Sequence, residues 1–230
     1  MNLLELPLRL CREFRMIWGY ERSSQALLMK IKRLVIGSTN PAKINEWKKL
    51  LRGFPVISLA ELGNFPEPHE SGKTFGENAR LKASHYAKLT GEFVLSDDGG
   101  YEVDALGGLP GVNSRRILPG GKDGTDADLI NFVLEKLKGI PSKKRTVSLS
   151  FVAAVSDPKG NVIFEDKNSF VGIVTKKPGP VKIEGYPFRT IHFIPKLGKT
   201  YAQLNEEEHE KYNHKAPVAR RLKKFLLEYK

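Results

Sequence analysis

Cysteine is almost missing from this sequence: Cys11 is the only one in 230 residues. A disulfide within the chain, a CxxC redox pair and a cysteine-rich zinc site are therefore excluded, and a reducing, cytoplasmic location fits. No apolar run approaches the roughly 18 residues that span a bilayer, so neither a transmembrane helix nor a membrane partner is expected. Collagen-like and coiled-coil repeats are lacking, and no linker splits the chain. A P-loop is lacking as well. Gly-Lys-Thr occurs at 72–74 and at 198–200, but the glycine required five positions earlier is Glu67 in one case and Phe193 in the other.

What is present is an apolar fraction of 40%, enough for a real core, and 38 Lys and Arg against 26 Asp and Glu, a formal charge of +12. Such a surplus points to an anionic partner, whether nucleic acid, nucleotide phosphates or an acidic membrane surface, or serves solubility alone. The first thirty residues hold five cations and three glutamates, so the charge belongs to the body of the chain. In that segment Glu5, Arg9 and Arg12 interrupt the apolar stretch a signal peptide needs. Residues 1–30 read as an N-terminal extension, either a short amphipathic docking helix or leader sequence upstream of a start at Met29. Residues 31–230 read as one domain.

Periodicity and capping residues predict strands at 32–37, 55–59, 93–96, 145–156, 161–175 and 191–194. Helices are predicted at 41–52, 75–89, 125–138, 202–212 and 217–230. Asn40 and Pro41 form a helix start, and Thr74 and Glu77 a capping box. Residues 101–124, rich in Gly and Pro, read as a hairpin plus loop. Early alternation of strand and helix followed by long hairpin strands predicts a mixed α/β sheet around one continuous core.

Three loops carry candidate chemistry. Ser38, Thr39, Asn40 and Lys43 lie between a strand and a helix, where backbone N–H groups, hydroxyls and an amine suit phosphates; a capped helix that binds nothing has the same pattern. Ser96-Asp97-Asp98-Gly99-Gly100 sets two carboxylates at the predicted end of a strand, where open α/β sheets bind ligands. Neighbouring side chains of an extended segment point to opposite faces, so one acid faces the site while structure holds the other. Oxygen donors of this kind suit Mg²⁺, with Glu70 as a further ligand; solvated acids in an Asp-Gly turn are the alternative. Asn213-His214-Lys215, ahead of a helix, is suited to a base edge or to phosphate, or is simply solvated.

Together these loops resemble the inosine triphosphate pyrophosphatase family, hydrolases of non-standard purine nucleoside triphosphates. The resemblance lies in five ordered blocks: Ser-Thr-Asn-Pro-Ala-Lys at 38–43, Thr-Phe-Gly-Glu-Asn-Ala-Arg-Leu-Lys-Ala at 74–83, Ser-Asp-Asp-Gly-Gly at 96–100, Val-Asp-Ala-Leu-Gly-Gly-Leu-Pro-Gly-Val at 103–112 and Gly-Lys-Thr-Tyr-Ala-Gln-Leu at 198–204. It implies an elongated, twisted mixed sheet with flanking helices in two lobes around a central cleft, a homodimer, and Mg²⁺-dependent cleavage between the α and β phosphates. Carried over, Ser38, Thr39, Asn40 and Lys43 would hold phosphates, and Lys82 would neutralise their charge. Glu70, Asp97 and Asp98 would support the metal, and Asp98 would ready the attacking water.

The departures cluster at the base. The family usually has a serine where this chain has Gly99. Its Phe-Gly-Tyr/Trp-Asp-Pro loop is Tyr186-Pro187-Phe188-Arg189-Thr190 here, so an acid has become Arg189. Its Ser-His-Arg is Asn213-His214-Lys215, and a lysine five residues before that histidine is His209. Gly99, Tyr186, Phe188, Arg189, His209, His214 and Lys215 are thus the candidate base-side contacts. Exchanging acceptors for donors, and an Arg fork for a Lys point charge, predicts altered or loosened base selectivity. A nucleotide-binding module without turnover, and a basic nucleic-acid-binding protein for which no motif is visible, are the competing readings.

Overall fold

The computed structural model describes residues 30–114, 116–117 and 124–229. The expectations for residues 1–29, with Cys11 and Met29, lie outside the described residues. Seven strands form one sheet: β1 (Leu34–Ile36), β2 (Val56–Ser58), β3 (Val94–Val103), β4 (Thr146–Ser156), β5 (Val162–Val174), β6 (His192–Ile194) and β7 (Lys199–Thr200), in the spatial order β2-β1-β3-β4-β5-β6-β7. β2, β1 and β3 run parallel, and every pair from β3 onward is antiparallel. Among the described residues five α-helices accompany the sheet: α1 (Pro41–Leu50), α2 (Phe75–Thr90), α3 (Asp126–Lys136), α4 (Glu206–Tyr212) and α5 (Ala216–Glu228). The mixed α/β class expected from the sequence is what the chain adopts. None of the described helices is long and apolar enough to cross a membrane.

The caps read from sequence set the helix starts. Asn40 accepts the N–H groups of Ala42 and Lys43 at the head of α1, with Pro41 at its first position. Thr74 and Glu77 close a reciprocal box on α2, which ends at Gly91 in the left-handed region. Thr125 and Asp128 do the same for α3.

Side-chain alternation along β3 and β4 divides the core. Leu95, Phe151, Ala153 and Val155 pack on one sheet face against Trp47 and Leu51 of the α1 segment and Val218, Leu222 and Leu226 of α5. Tyr101, Val103 and Val147, in the same parity, pack at the other end against Leu129, Val133 and Leu137 of the α3 segment and Phe188 and Ile191. Between these two clusters that face carries Asp97 and Gly99. On the opposite face Val35 and Val94 pack on Tyr86 and Ala87 of α2, and Ala154 on Ala79 and Ala83. The small alanines let α2 lie close to the sheet.

The structure corrects one placement. Asp97 to Gly100 do not end a strand in a turn; they lie inside the ten-residue β3, paired throughout with β4 from Val94↔Ser156 to Val103↔Val147. The two glycines serve close approach. A Cβ on Gly99 would come within 2.5 Å of the Ser150 carbonyl oxygen, and one on Gly100 within 2.5 Å of the Gly111 carbonyl oxygen. β1 pairs with β3 only through Val35↔Val94 and Ile36↔Leu95, so the β3 edge is open on that side from Ser96 until the Glu102↔Pro110 bridge. The cleft opens at this parallel-to-antiparallel switch, beyond the carboxyl end of β1.

Candidate active site

A cleft of about 260 Å³ sits at that edge. The strand-helix loop contributes Ser38, Thr39, Asn40 and Lys43; β3 contributes Asp97, Asp98 and Gly99. α2 sends in Lys82, the 63–72 loop Glu70, the 186–190 turn Tyr186, Phe188 and Arg189, and the start of α5 His214 and Lys215. All but one of the candidate residues therefore line one cavity. The exception is His209. Its ring stands edge-on to Tyr201, 5.7 Å between centroids, and is not part of the lining. An imidazole is shorter than a lysine and ends behind that tyrosine.

Alternation along β3 sends the two aspartates to opposite faces. Asp98 meets the α2 side: Lys82 Nζ lies 3.0 Å from its Oδ1, and Asn78 donates to its Oδ2 at 3.2 Å. Lys82 also pairs with Glu70 at 2.9 Å. Burial disfavours the Lys82 ammonium, but Asp98 and Glu70 more than offset this, and its pKa lies above the usual lysine value. Arg116, which the sequence reading missed, donates to the Glu70 carbonyl oxygen at 3.2 Å.

Asp97 lies in the same cavity lining, held by nitrogen donors. Its Oδ1 accepts the Trp47 indole N–H at 2.8 Å, and its Oδ2 meets Lys43 at 3.1 Å and Lys215 at 3.2 Å. Burial alone would raise its pKa; Lys215 and Lys43 reverse this and hold it well below the usual carboxylate range. Lys43 is itself pulled below its ordinary value by burial, against the pull of Asp97.

Glu46 is the largest omission of the sequence reading. One oxygen accepts from Arg189 at 2.7 Å and from Asn213 at 3.1 Å. The other accepts the Tyr186 hydroxyl at 2.5 Å and faces Lys215 at 3.2 Å. Burial opposes its charge, yet Arg189 and Lys215 hold its pKa well below normal. Its position three residues after Lys43, just before the buried Trp47, was the available signal. Arg189, expected as a loop residue reading the base, is buried, its guanidinium 3.6 Å from the Tyr186 ring centroid and 5.0 Å from that of Tyr201. His214 is settled by hydrogen-bond accounting. Its backbone N–H donates to the Tyr201 oxygen at 3.1 Å, and that hydroxyl lies 3.0 Å from its Nδ1. The hydroxyl proton goes to Nδ1, which leaves the hydrogen of the neutral ring on Nε2. Burial, then Arg189, pushes the His214 pKa well below normal, so the ring is neutral at physiological pH.

The site is thus a chain of alternating charge: Arg189, Glu46, Lys215, Asp97 and Lys43 at one end, and Lys82 between Asp98 and Glu70 at the other. Among the described residues no group of three or more His, Cys, Asp or Glu side chains is arranged for a metal. The carboxylate pair Glu70 and Asp98, already gathered around one cation, suits a hard divalent ion that keeps waters and takes phosphate oxygens as its remaining ligands.

The profile of the Ham1 family matches residues 34–225. A dITP/XTP pyrophosphatase of Bacillus subtilis is 37% identical over 198 residues, 85% of this chain and 98% of that protein. One from Escherichia coli O157:H7 is 34% identical, covering 84% of this chain and 96% of the other. Among solved structures, a HAM1 protein from Coxiella burnetii superposes with a TM-score of 0.74 at 32% identity, covering 86% of this chain and all of that one. With the converging lysines, the split aspartate pair and these relatives together, the chain belongs to the Ham1 family.

Proposed function

We propose that this protein hydrolyses non-standard purine nucleoside triphosphates, such as ITP, dITP and XTP, between the α and β phosphates to give a nucleoside monophosphate and pyrophosphate. The observation that supports it most is the meeting of Lys43, Lys82 and Asp98 at one cavity, from three separate stretches of chain. The head of α1 and the Lys43 amine take phosphate oxygens. Lys82, fixed as a cation between Glu70 and Asp98, neutralises charge on the phosphoryl group as it is attacked. Asp98 Oδ accepts the proton of the attacking water, and Asn78 on its other oxygen fixes the orientation of the carboxylate. Glu70 and Asp98 would hold Mg²⁺, which when bound withdraws charge from the phosphate oxygens. Tyr186 offers a ring for the base to stack on.

In this reading residues 31–230 form one two-lobed domain that works as a homodimer in the cytoplasm, with its substrate as the anionic partner and no role for nucleic acid. The test is pyrophosphate release from a panel of nucleoside triphosphates with and without Mg²⁺, beside Asp98→Asn. Metal-dependent release that the variant loses supports the proposal. Nucleotide binding without product, unaffected by the substitution, would leave only a binding module.

A further inference from the structure

Resting on that reading, the base end of the cleft allows a narrower statement about its substrate. Both carboxylates there are fully engaged. Glu46 takes four donors, from Arg189, Asn213, Tyr186 and Lys215, and Asp97 takes three, from Trp47, Lys43 and Lys215. Asn213 spends its carbonyl oxygen on the Lys215 backbone N–H at 2.8 Å. Few side-chain acceptor positions among these residues are left for a base N–H. What remains is largely donor character, including His214 Nε2–H, with Arg189 and Lys215 beside the two acids and Lys43 turned to the phosphate side.

We propose that this site selects xanthine over hypoxanthine, and that Arg189 is a specificity-determining residue for that choice. Xanthine carries oxygens at both C2 and C6 and loses its N3 proton around neutral pH; hypoxanthine has one oxygen and stays neutral there. A donor-rich pocket with Arg189 and Lys215 at hand meets the second oxygen and the negative charge. Arg189 acts through the ring it covers. Arg189 3.6 Å and Lys215 Nζ 5.8 Å from the Tyr186 ring centroid draw π density toward themselves, which makes the ring a better partner for an electron-rich, anionic base.

Apart from His209, the protein groups around Arg189 hold constant charge while the base titrates. Glu46 is ionised far below neutrality. Burial holds His192 at about 4, and lowers His209 and His214 from their ordinary values. Burial raises Tyr186 and takes Tyr201 up to about 12. Arg189 and Lys215 stay cationic.

The test compares kcat/KM for XTP and ITP from about pH 5 to about pH 8, with Mg²⁺, on the intact chain. The XTP-to-ITP ratio is expected to rise with pH as N3 ionises and to exceed about tenfold at the alkaline end. Arg189→Gln should bring that ratio within about threefold, and Arg189→Lys should keep part of it. ITP preferred at the alkaline end, a ratio flat in pH, or a ratio unmoved by Arg189→Gln overturns the proposal. If Arg189→Gln fails to fold, the pH series on the unaltered protein decides alone. If no triphosphate is cleaved, the pyrophosphatase reading fails separately. Calorimetric affinities of XMP and IMP at the same two pH extremes then decide the base preference, tighter XMP binding at the alkaline end supporting it and equal binding overturning it.

Discussion

Replacing Asp97 by asparagine separates two roles that a pair of adjacent aspartates can play. In Asp97→Asn the new amide keeps an oxygen for the Trp47 N–H, now 2.8 Å away, but turns an NH₂ group toward Lys43 and Lys215, which stand 3.1 and 3.2 Å from the present oxygen. Donor then faces donors. Three cations, Arg189, Lys215 and Lys43, would share the single carboxylate of Glu46, and Lys215 is 2% exposed. Removing one partner of a buried pair typically costs about 3–5 kcal/mol, because a charge is left buried and uncompensated. For a chain of this length that is a fall in Tm of roughly 6–20 °C. Urea unfolding should show the same loss in midpoint with an unchanged slope. Removing the stranded amine as well, in Asp97→Asn with Lys215→Met, should recover part of the loss, a coupling the double-mutant cycle reads directly. The pH profile gives a second signature. Asp97 has a folded pKa below its ordinary value, so the unfolded chain binds its proton first; its contribution is complete above about pH 4 and is lost as pH falls toward the folded value. The variant should lack that part of the acid limb. A loss under about 1 kcal/mol together with abolished turnover would refute the reasoning and return Asp97 to the metal.

Asp98→Asn should cut kcat by about 10²–10⁴, measured by pyrophosphate release, since a positioned general base is lost; its NH₂ must face either Asn78 or Lys82, so a fall in Tm is expected as well. Chelation of divalent ions should abolish turnover and Mg²⁺ should restore it, and Glu70→Gln should raise the Mg²⁺ needed for half-maximal rate by about 10-fold, read in a metal titration. Gly99→Ser, which writes the family's usual residue into this chain, should destabilise by about 1–3 kcal/mol in urea, because its Cβ would come within 2.5 Å of the Ser150 carbonyl oxygen and 2.6 Å of Phe151 Cβ.

The sequence made the frame legible where local physics decides. Asn40 with Pro41 and Thr74 with Glu77 fixed helix starts through capping that involves only near neighbours. It failed where partners arrive from far along the chain. Two aspartates followed by two glycines have the local chemistry of a turn, yet the eleven residues of β4 draw them into a strand, and nothing near position 97 announces that pairing. Glu46 goes unread in the sequence because its partners lie 140 to 167 residues away. Arg189 was read as a loop cation beside the base for the same reason. Alternation along β3 was legible, and it anticipated that the two aspartates would face different ways; which face held the lysine pair and the indole was not.

The division of labour between those aspartates follows from one topological fact. Because β1 stops at Ile36 while β3 continues to Val103, the β3 edge is bare on the β1 side where the sheet changes from parallel to antiparallel. Only there can one strand offer acids to both faces of the sheet and to a single opening at its edge. Asp97, facing α1 and α5, is tied through Lys215 to Glu46 and hence to the ring of Tyr186. Asp98, facing α2, is tied through Lys82 to Glu70. One peptide unit therefore fixes the spacing between the end of the cleft that would hold a base and the end that would hold phosphates. The two acids share backbone but no hydrogen-bonding side chain, while charge still links the halves, because Lys82 acts on Asp97 and Asp98 acts on Lys43.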